Sequence, residues 1–232
     1  LITFFTAGAG SLSVSIHWLP LVTFIGATLT AFLLYSVAWR EGVSPIRFVL
    51  IGIGFYTITQ ALTNLVVLLG PPFRAIQAKT WLTGSIYGTS WEYVWALLPW
   101  AFLLFPLAMF WAKQMNIHQL SEEISIGLGS KLQRERLGLL ILSTGFAGAA
   151  IAFVGGISFI GLVAPHAARR LVGTSYYRLL PVAGLLGAIL VLSADFLGRT
   201  LFAPLEVPAG VFTAIVGTPY FLYLLFQERT KG

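Results

Sequence analysis

The sequence has 232 residues, of which 57% are hydrophobic and only 9% charged, with 14 Lys and Arg against 8 Asp and Glu. Its mean hydropathy of +0.87 and its few charges exclude a water-soluble globule, because there is too little polar surface to cover one. The sequence contains no Cys, which excludes disulfide bonds and thiolate metal sites. These properties predict an all-α, polytopic transmembrane helical bundle, since helices satisfy their own backbone hydrogen bonds in lipid.

Roughly eight apolar segments are candidate membrane spans, at about 20 residues for each crossing. They cover residues 1–16, 18–38, 47–69, 94–112, 137–154, 157–170, 178–201 and 209–227. The first is short and rich in Gly and Ser, as in a span cut at its beginning, and 157–170 is short enough to be a broken span. Because the sequence starts at Leu1 with no basic leader, residues 1–232 are expected to be a single transmembrane domain that is truncated at its N-terminus.

Two further patterns bear on packing and helix boundaries. The small residues of 137–154 (GFAGAAIAFV) predict a helix buried in the bundle, because they allow helices to approach closely. Pro45 predicts the start of a helix, where its missing N–H costs nothing. The segment 70–95 is too polar to span and carries many Trp and Tyr, which predicts that it lies at a membrane surface.

The basic residues give the expected orientation if successive spans alternate. One side receives eleven of the fourteen, namely Arg40, Arg47, Lys113, Lys131, Arg134, Arg136, Arg169, Arg170, Arg178, Arg229 and Lys231. The other side receives Arg74, Lys79 and Arg199. By the positive-inside rule the first side is cytoplasmic. The C-terminus and the polar loop 114–136 are therefore expected in the cytoplasm, and the aromatic segment outside.

The cytoplasmic loop contains a short amphipathic helix in LSEEISIGLG, residues 120–129. Ser121 is a plausible N-cap, and Glu122 and Glu123 suit the positive end of the helix dipole. The apolar positions Leu120, Ile124 and Leu128 recur at every fourth residue and share one face. The pattern allows two interpretations: a helix resting on lipid headgroups or on the protein's own loops, and a helix on which a soluble partner docks.

Pro165 and His166 stand inside the apolar run before Arg169. Proline removes a helical hydrogen bond and permits a kink. His166 is interpreted either as a proton carrier or ligand group, or as a buried imidazole bonded to a freed carbonyl. The second interpretation is favoured, because the segment offers no second His and no carboxylate.

Asp195 and Arg199 are four residues apart near the outer end of a span, which predicts a structural ion pair and, as an alternative, a gate at the outer mouth. Glu206 follows between two prolines. It is interpreted as a contact for an external partner or as a helix cap.

No motif for catalysis or nucleic-acid binding is present in the sequence. There is no GxxxxGK[ST] phosphate loop, HExxH or GxSxG. The basic residues border membrane spans rather than forming a groove with interleaved aromatics. The sequence therefore predicts neither an enzyme nor a nucleic-acid-binding protein, and no metal or cofactor.

Three C-terminal runs resemble the signature of the iron-siderophore, haem and cobalamin family of ABC importer permeases. They are GGISFIGLVAPHAARRLVG, RLLPVAGLLGAILVLSADFLGRT and APLEVPAGVFTAIVGTPYFLYLL. The matching positions are Phe159, Gly161, Leu162, Pro165, His166, Arg169, Pro181, Asp195, Arg199, Glu206, Pro208, Gly210, Thr213, Gly217, Pro219 and Phe221. Ser158 stands where the family pattern has a Gly.

The resemblance implies a permease subunit of ten helices that pairs with a second permease subunit, identical or different, around a translocation path. It implies cytoplasmic ABC ATPase subunits that dock on the loop helix, and an extracytoplasmic substrate-binding protein. The family's docking pattern matches Leu120, Glu123, Leu128 and Gly129, with Ser125 replacing a usual Ala, and this favours the docking interpretation.

The expected cargo is an iron siderophore, which is the commonest in the family. The alternatives are haem or cobalamin and, with less support, a passive channel or a membrane protein without transport activity.

Overall fold

A computed structural model describes residues 19–38, 45–70, 72–120, 122–127, 129–130, 132–203 and 207–229. The predicted first segment, 1–16, lies outside these ranges. So do Arg40, Ser121, Leu128, Lys131, Glu206 and Lys231, on which several of the predictions above depend.

In the described part of the chain the secondary structure is helical. The helices are α1 (Leu19–Ala38), α2 (Pro45–Leu69), α3 (Pro72–Thr83), α4 (Trp91–Ile117), α5 (Glu122–Gly127), α6 (Leu132–Val154), α7 (Ile160–Val172), α8 (Tyr176–Leu201) and α9 (Ala209–Arg229). Five of them, α1, α2, α4, α6 and α8, are long and apolar enough to cross a membrane. The predicted all-α membrane bundle is confirmed, and α2 begins at Pro45 as expected.

Hydrogen bonds between elements show that the helix termini gather at two opposite ends of the bundle. At one end, the Ser85 N–H donates to the Val154 carbonyl at 2.9 Å and the Gly210 N–H to the Gly84 carbonyl at 3.0 Å. This joins the end of α3, the end of α6 and the start of α9. We call it the aromatic end, because Trp81, Tyr87, Trp91 and Tyr93 lie there.

The opposite end joins the end of α4, the start of α6 and the turn between α7 and α8. His118 Nε2 lies 2.8 Å from Glu135 Oε2, and the Tyr176 N–H donates to Asn116 Oδ1 at 2.9 Å. We call it the basic end, defined by Arg134, Arg136, Arg169, Arg170 and Arg178. Successive crossings alternate between the two ends, as the sequence analysis assumed.

The predicted span at 157–170 is a broken one. Residues 155–158 are not helical, and α7 has only 13 residues. At 1.5 Å per residue that is roughly 20 Å, too short for a hydrocarbon core of about 30 Å. Phe159, which precedes α7, packs against Gly217, about 12 Å along α9 from its start. The chain therefore re-enters the bundle as non-helical backbone and continues to the basic end as a helix.

The small-residue face of α6 is buried, as predicted. Gly145, Gly148, Ala149 and Ala152 all lie in the interior. A Cβ atom at Gly148 would lie 3.1 Å from the backbone of Phe24 in α1, so glycine sets the distance between α1 and α6. The Thr23 hydroxyl donates to the Gly148 carbonyl at 2.9 Å across this contact.

Gly210 offers a direct test of the packing at the aromatic end. A Cβ atom there would overlap the Thr83 carbonyl oxygen, which is backbone and has little freedom to move. We expect Gly210→Ala to lower the free energy of unfolding by about 2 kcal/mol or more, through overpacking. The measurement is denaturant unfolding in detergent micelles. Gly52→Ala in α2 is the control, because a Cβ atom there meets nothing within 4 Å. Equal effects of the two substitutions would contradict the close contact.

Candidate functional sites at the two ends of the bundle

The loop helix α5 lies at the basic end with an apolar side turned to solvent. Leu120 is 46% exposed and Ile124 is 53% exposed. Ser125, between them and the bundle, is completely buried, and its hydroxyl donates to the Ile117 carbonyl at 3.1 Å. A small residue is required at this position, and Ser adds a hydrogen bond that Ala cannot form. Of the predicted apolar face, Leu128 lies outside the described residues.

The helix predicted within residues 120–129 is present as α5. Glu122 and Glu123 occupy its first two helical positions. Gly129 has φ of +82°, the left-handed conformation that commonly terminates a helix, and its N–H donates to the Ile126 carbonyl at 2.9 Å. The loop therefore contains a short helix with a defined stop.

Side-chain contacts attach the base of this loop to α6. Glu135 Oε2 accepts a hydrogen bond from the Ser130 hydroxyl at 2.6 Å and contacts His118 Nε2 at 2.8 Å. The sequence analysis did not single out His118 or Glu135 as a pair. Their separation of 17 residues is no helical or strand repeat, so no sequence signal reports the contact.

A second group of side chains joins the loop to the turn between α7 and α8. Asn116 Oδ1 accepts the Tyr176 N–H at 2.9 Å, and Gln119 Nε2 donates to the Thr174 carbonyl at 2.9 Å. Neither amide was a predicted site residue. Both belong to the polar loop, but their partners are backbone atoms about sixty residues away.

Of the predicted residues of α7, His166 is half-buried and Arg169 is exposed in the last turn. The His166 ring packs edge-on against Tyr220 of α9, with centroids 5.9 Å apart. His166 Nε2 is buried and has no hydrogen-bond partner among the described atoms, so it does not make the expected bond to a carbonyl freed by Pro165. Arg169 is placed favourably for the negative end of the α7 dipole.

At the aromatic end, Asp195 and Arg199 form the predicted ion pair, with Arg199 Nε 2.6 Å from Asp195 Oδ2. The side chains are 16% and 47% exposed, respectively. The guanidinium carbon also lies 5.2 Å from the centre of the Tyr87 ring, a cation–π distance. Sequence reasoning treated Tyr87 as an interfacial aromatic only.

The ion pair and Tyr87 border an open cavity of about 440 Å³, to which Trp81, Tyr93 and Pro208 also contribute. The cavity therefore lies between α3, α8 and the approach to α9. Within the described ranges, no three His, Asp or Glu side chains come together as metal ligands would.

An alternating bundle of apolar helices, with a broken span and a structured loop at one end, defines a polytopic membrane protein. Residues 1–227 match the model of the FecCD transport family. The chain belongs to this family.

Two curated relatives come from Bacillus subtilis (strain 168). The probable siderophore transport system permease protein YfhA is 50% identical over 98% of this chain and 66% of its own length. The iron(3+)-hydroxamate import system permease protein FhuG is 41% identical over 98% of this chain and 68% of its own length. The chain thus spans about two thirds of the length of these relatives.

A solved structure titled as an inward-facing conformation of a putative metal-chelate type ABC transporter has the same fold. The TM-score is 0.76 at 26% identity, covering 91% of this chain and 73% of that one. The membrane-permease fold inferred from the sequence is confirmed.

The energetic coupling between Asp195 and Arg199 is testable with a double-mutant cycle. Arg199→Ala leaves a mostly buried carboxylate unpaired, so we expect a loss of about 1–2 kcal/mol in the free energy of unfolding. The double variant Asp195→Asn with Arg199→Ala should lose less than the sum of the single variants, by about 1 kcal/mol. Unfolding in detergent micelles measures both values. Arg178→Ala at the basic end is the control, and strict additivity would rule out the coupling.

Proposed function

We propose that this protein is the membrane permease of an ATP-driven importer that carries an iron siderophore into the cell. The observation that carries the proposal is the exposed apolar side of α5, on a loop whose base is fixed to the bundle, in a chain of the FecCD transport family. The names of YfhA and FhuG, which refer to siderophore and iron(3+)-hydroxamate transport, support this cargo class.

The basic end is proposed to be cytoplasmic. Arg134, Arg136, Arg169, Arg170 and Arg178 border it, and the positive-inside rule places such a concentration in the cytoplasm. The aromatic end then faces outward, and α9 runs toward a cytoplasmic C-terminus. The protein is accordingly proposed to reside in the inner or plasma membrane.

Cytoplasmic ABC ATPase subunits are the proposed partners of the loop. Leu120 and Ile124 present apolar surface to water, which is costly unless a partner covers it. Ser125 and Gly129 set the shape of α5, with its buried side fixed and its stop defined. Of the remaining proposed docking positions, Glu122 and Glu123 begin the helix, and Ser121 and Leu128 flank it.

The polar face of α2 supports a second permease subunit. Tyr56, Gln60 and Asn64 recur at every fourth residue and are exposed on a helix whose other exposed side chains are mostly apolar. Polar side chains facing hydrocarbon are unfavourable, so in membranes they face protein or a water-filled path. We infer that this face lines a translocation path between two subunits, which are the same or different chains, and that the remaining apolar surface meets lipid.

The aromatic end is the proposed contact for an extracytoplasmic substrate-binding protein. Arg199 is half-exposed there, and the segment containing Glu206 joins α8 to α9 nearby. In this proposal Asp195 and Arg199 act as a gate. The cation–π contact of Arg199 holds α8 beside Tyr87, and a binding protein that competes for either charge would release it.

The proposed mechanism is alternating access without a covalent intermediate. Closure of the ATPases on ATP moves α5, and the small-residue contacts of α6 and the neighbouring α7 and α8 repack between two arrangements. Pro165 and the break before α7 give this region a flexible point, because helical hydrogen bonding is interrupted there.

Docking is tested by placing charge on the exposed face of the loop. We expect Leu120→Asp with Ile124→Asp, made in the full-length permease, to weaken co-purification of the ATPase at least about tenfold, since apolar anchors dominate such interfaces. Ile76→Asp is the matched control, because Ile76 is an exposed apolar residue of α3 at the opposite end. Undiminished association of the loop variant would sink the docking proposal.

The cargo is tested by growth and uptake in a deletion strain. We expect loss of growth under iron limitation on a hydroxamate, catecholate or citrate complex of iron, with growth on ferrous iron unchanged. Uptake of radiolabelled iron bound to each chelator provides the measurement. Normal uptake of all three, together with a defect for haem or cobalamin, would reassign the substrate. Normal uptake of all five would count against an importer.

A further inference from the structure

We infer that Asn116 and Gln119 form a clamp that couples the docking loop to the first turn of α8. The inference rests on the proposed function, because it concerns how motion of the loop reaches the bundle. Asn116 and Gln119 are positioning residues in this scheme. They contact neither nucleotide nor cargo, and they act through the backbone of another element.

The clamp supplies a helix cap from elsewhere in the chain. The first N–H groups of a helix have no intrahelical acceptor and normally bond to the side chain of the N-cap residue. Ser175, at the N-cap of α8, makes no such bond. Asn116 Oδ1 takes its place by accepting the Tyr176 N–H at 2.9 Å. The start of α8 therefore depends on a side chain at the end of α4.

Gln119 strengthens the same connection. Its Nε2 donates to the Thr174 carbonyl at 2.9 Å and lies 3.3 Å from Asn116 Oδ1. The two amides thus hold both sides of the turn between α7 and α8. Hydrogen bonds to fixed backbone atoms are directional, so they transmit a displacement along α8 that apolar packing alone allows to slip.

On its other side the clamp is attached firmly to the docking loop. Ser125 of α5 bonds to the Ile117 carbonyl, one residue from Asn116. His118 and Ser130 both contact Glu135, which fixes the loop to α6. Any force on α5 therefore reaches residues 116–119 directly, and from there it passes to the α7–α8 turn.

The connection matters because of the residues at the far ends of α7 and α8. The helix α8 carries Asp195 and Arg199 at its far end, and α7 is preceded by Phe159, whose φ of +67° is unfavourable for a residue with a side chain. Between them is an apolar cavity of about 240 Å³, lined in part by Phe159, Ser193 and Gly217. A displacement of the turn therefore moves α7 and α8, which lie beside the strained Phe159 and this cavity.

The test measures movement at this cavity directly, so the cargo need not be known. The variant Ser193→Cys, in a full-length permease with no other Cys, reports on the cavity that Ser193 lines. Its rate of reaction with a maleimide is measured in the assembled transporter in proteoliposomes, without nucleotide and after trapping with ATP and vanadate. We expect trapping to change this rate.

Asn116→Ala and Gln119→Glu should each reduce that change about fivefold, the typical effect of losing one net hydrogen bond. Asn116→Asp should retain it, because the carboxylate still accepts both hydrogen bonds. Gln133→Ala is the control. It removes the 3.2 Å bond between Tyr35 and Gln133 at the same end without touching the turn.

Two results would overturn the inference: an unchanged labelling response in Asn116→Ala and Gln119→Glu, or no response to trapping in the parent protein. A purely structural role would lower the thermal denaturation midpoint of Asn116→Ala and leave the response of the folded fraction intact. ATPase co-purification is measured on the same samples. Its absence from the parent protein is evidence against the proposed function, whereas its presence with an intact response in both variants is evidence against the clamp alone.

Discussion

The need to satisfy every backbone polar group away from water governs the aromatic end of this bundle. Three elements end or begin there, and their free backbone groups bond to each other rather than to solvent: Ser85 to Val154 and Gly210 to Gly84. Such bonds require backbones in contact. A Cβ atom at Gly155 or Gly210 would overlap a carbonyl of α3, so the absence of side chains at these positions permits the network.

The broken span depends on this arrangement. After Val154 the chain turns back into the bundle without helical hydrogen bonds, which lipid would not tolerate but protein surroundings do. Gly84 lies against Ile157 on one side, and Gly217 accommodates Phe159 further in. The re-entrant segment is thus enclosed by α3 and α9. It delivers α7 to the basic end with Arg169 and Arg170 in its last turn, where the helix dipole favours them.

Hydropathy was enough to predict the five spans α1, α2, α4, α6 and α8, because lipid imposes length and composition on each helix separately. The ion pair of Asp195 and Arg199 was equally accessible, since residues four apart meet on a helix. The contact of Tyr87 with Arg199 could not be predicted in this way, and neither could that of Asn116 with Tyr176. These contacts join distant parts of the chain, and only the packing of α4, α6 and α8 brings them together.

The distribution of polar contacts has a mechanical consequence. In the middle of the bundle α4 and α6 meet through Leu104, Ala108, Leu142 and Ala149, whose apolar side chains form no hydrogen bonds. At both ends, polar contacts hold the helices in register: the amides at the basic end, and the Arg199–Tyr87 contact and the backbone bonds of Ser85 and Gly210 at the aromatic end. A rigid helix that makes polar contacts with its neighbours at both ends, and packs through apolar side chains in between, transmits motion along its length. In the mechanism we propose, α8 is the element through which events at one membrane face reach the other, because it contacts Asn116 at the basic end and Tyr87 at the aromatic end.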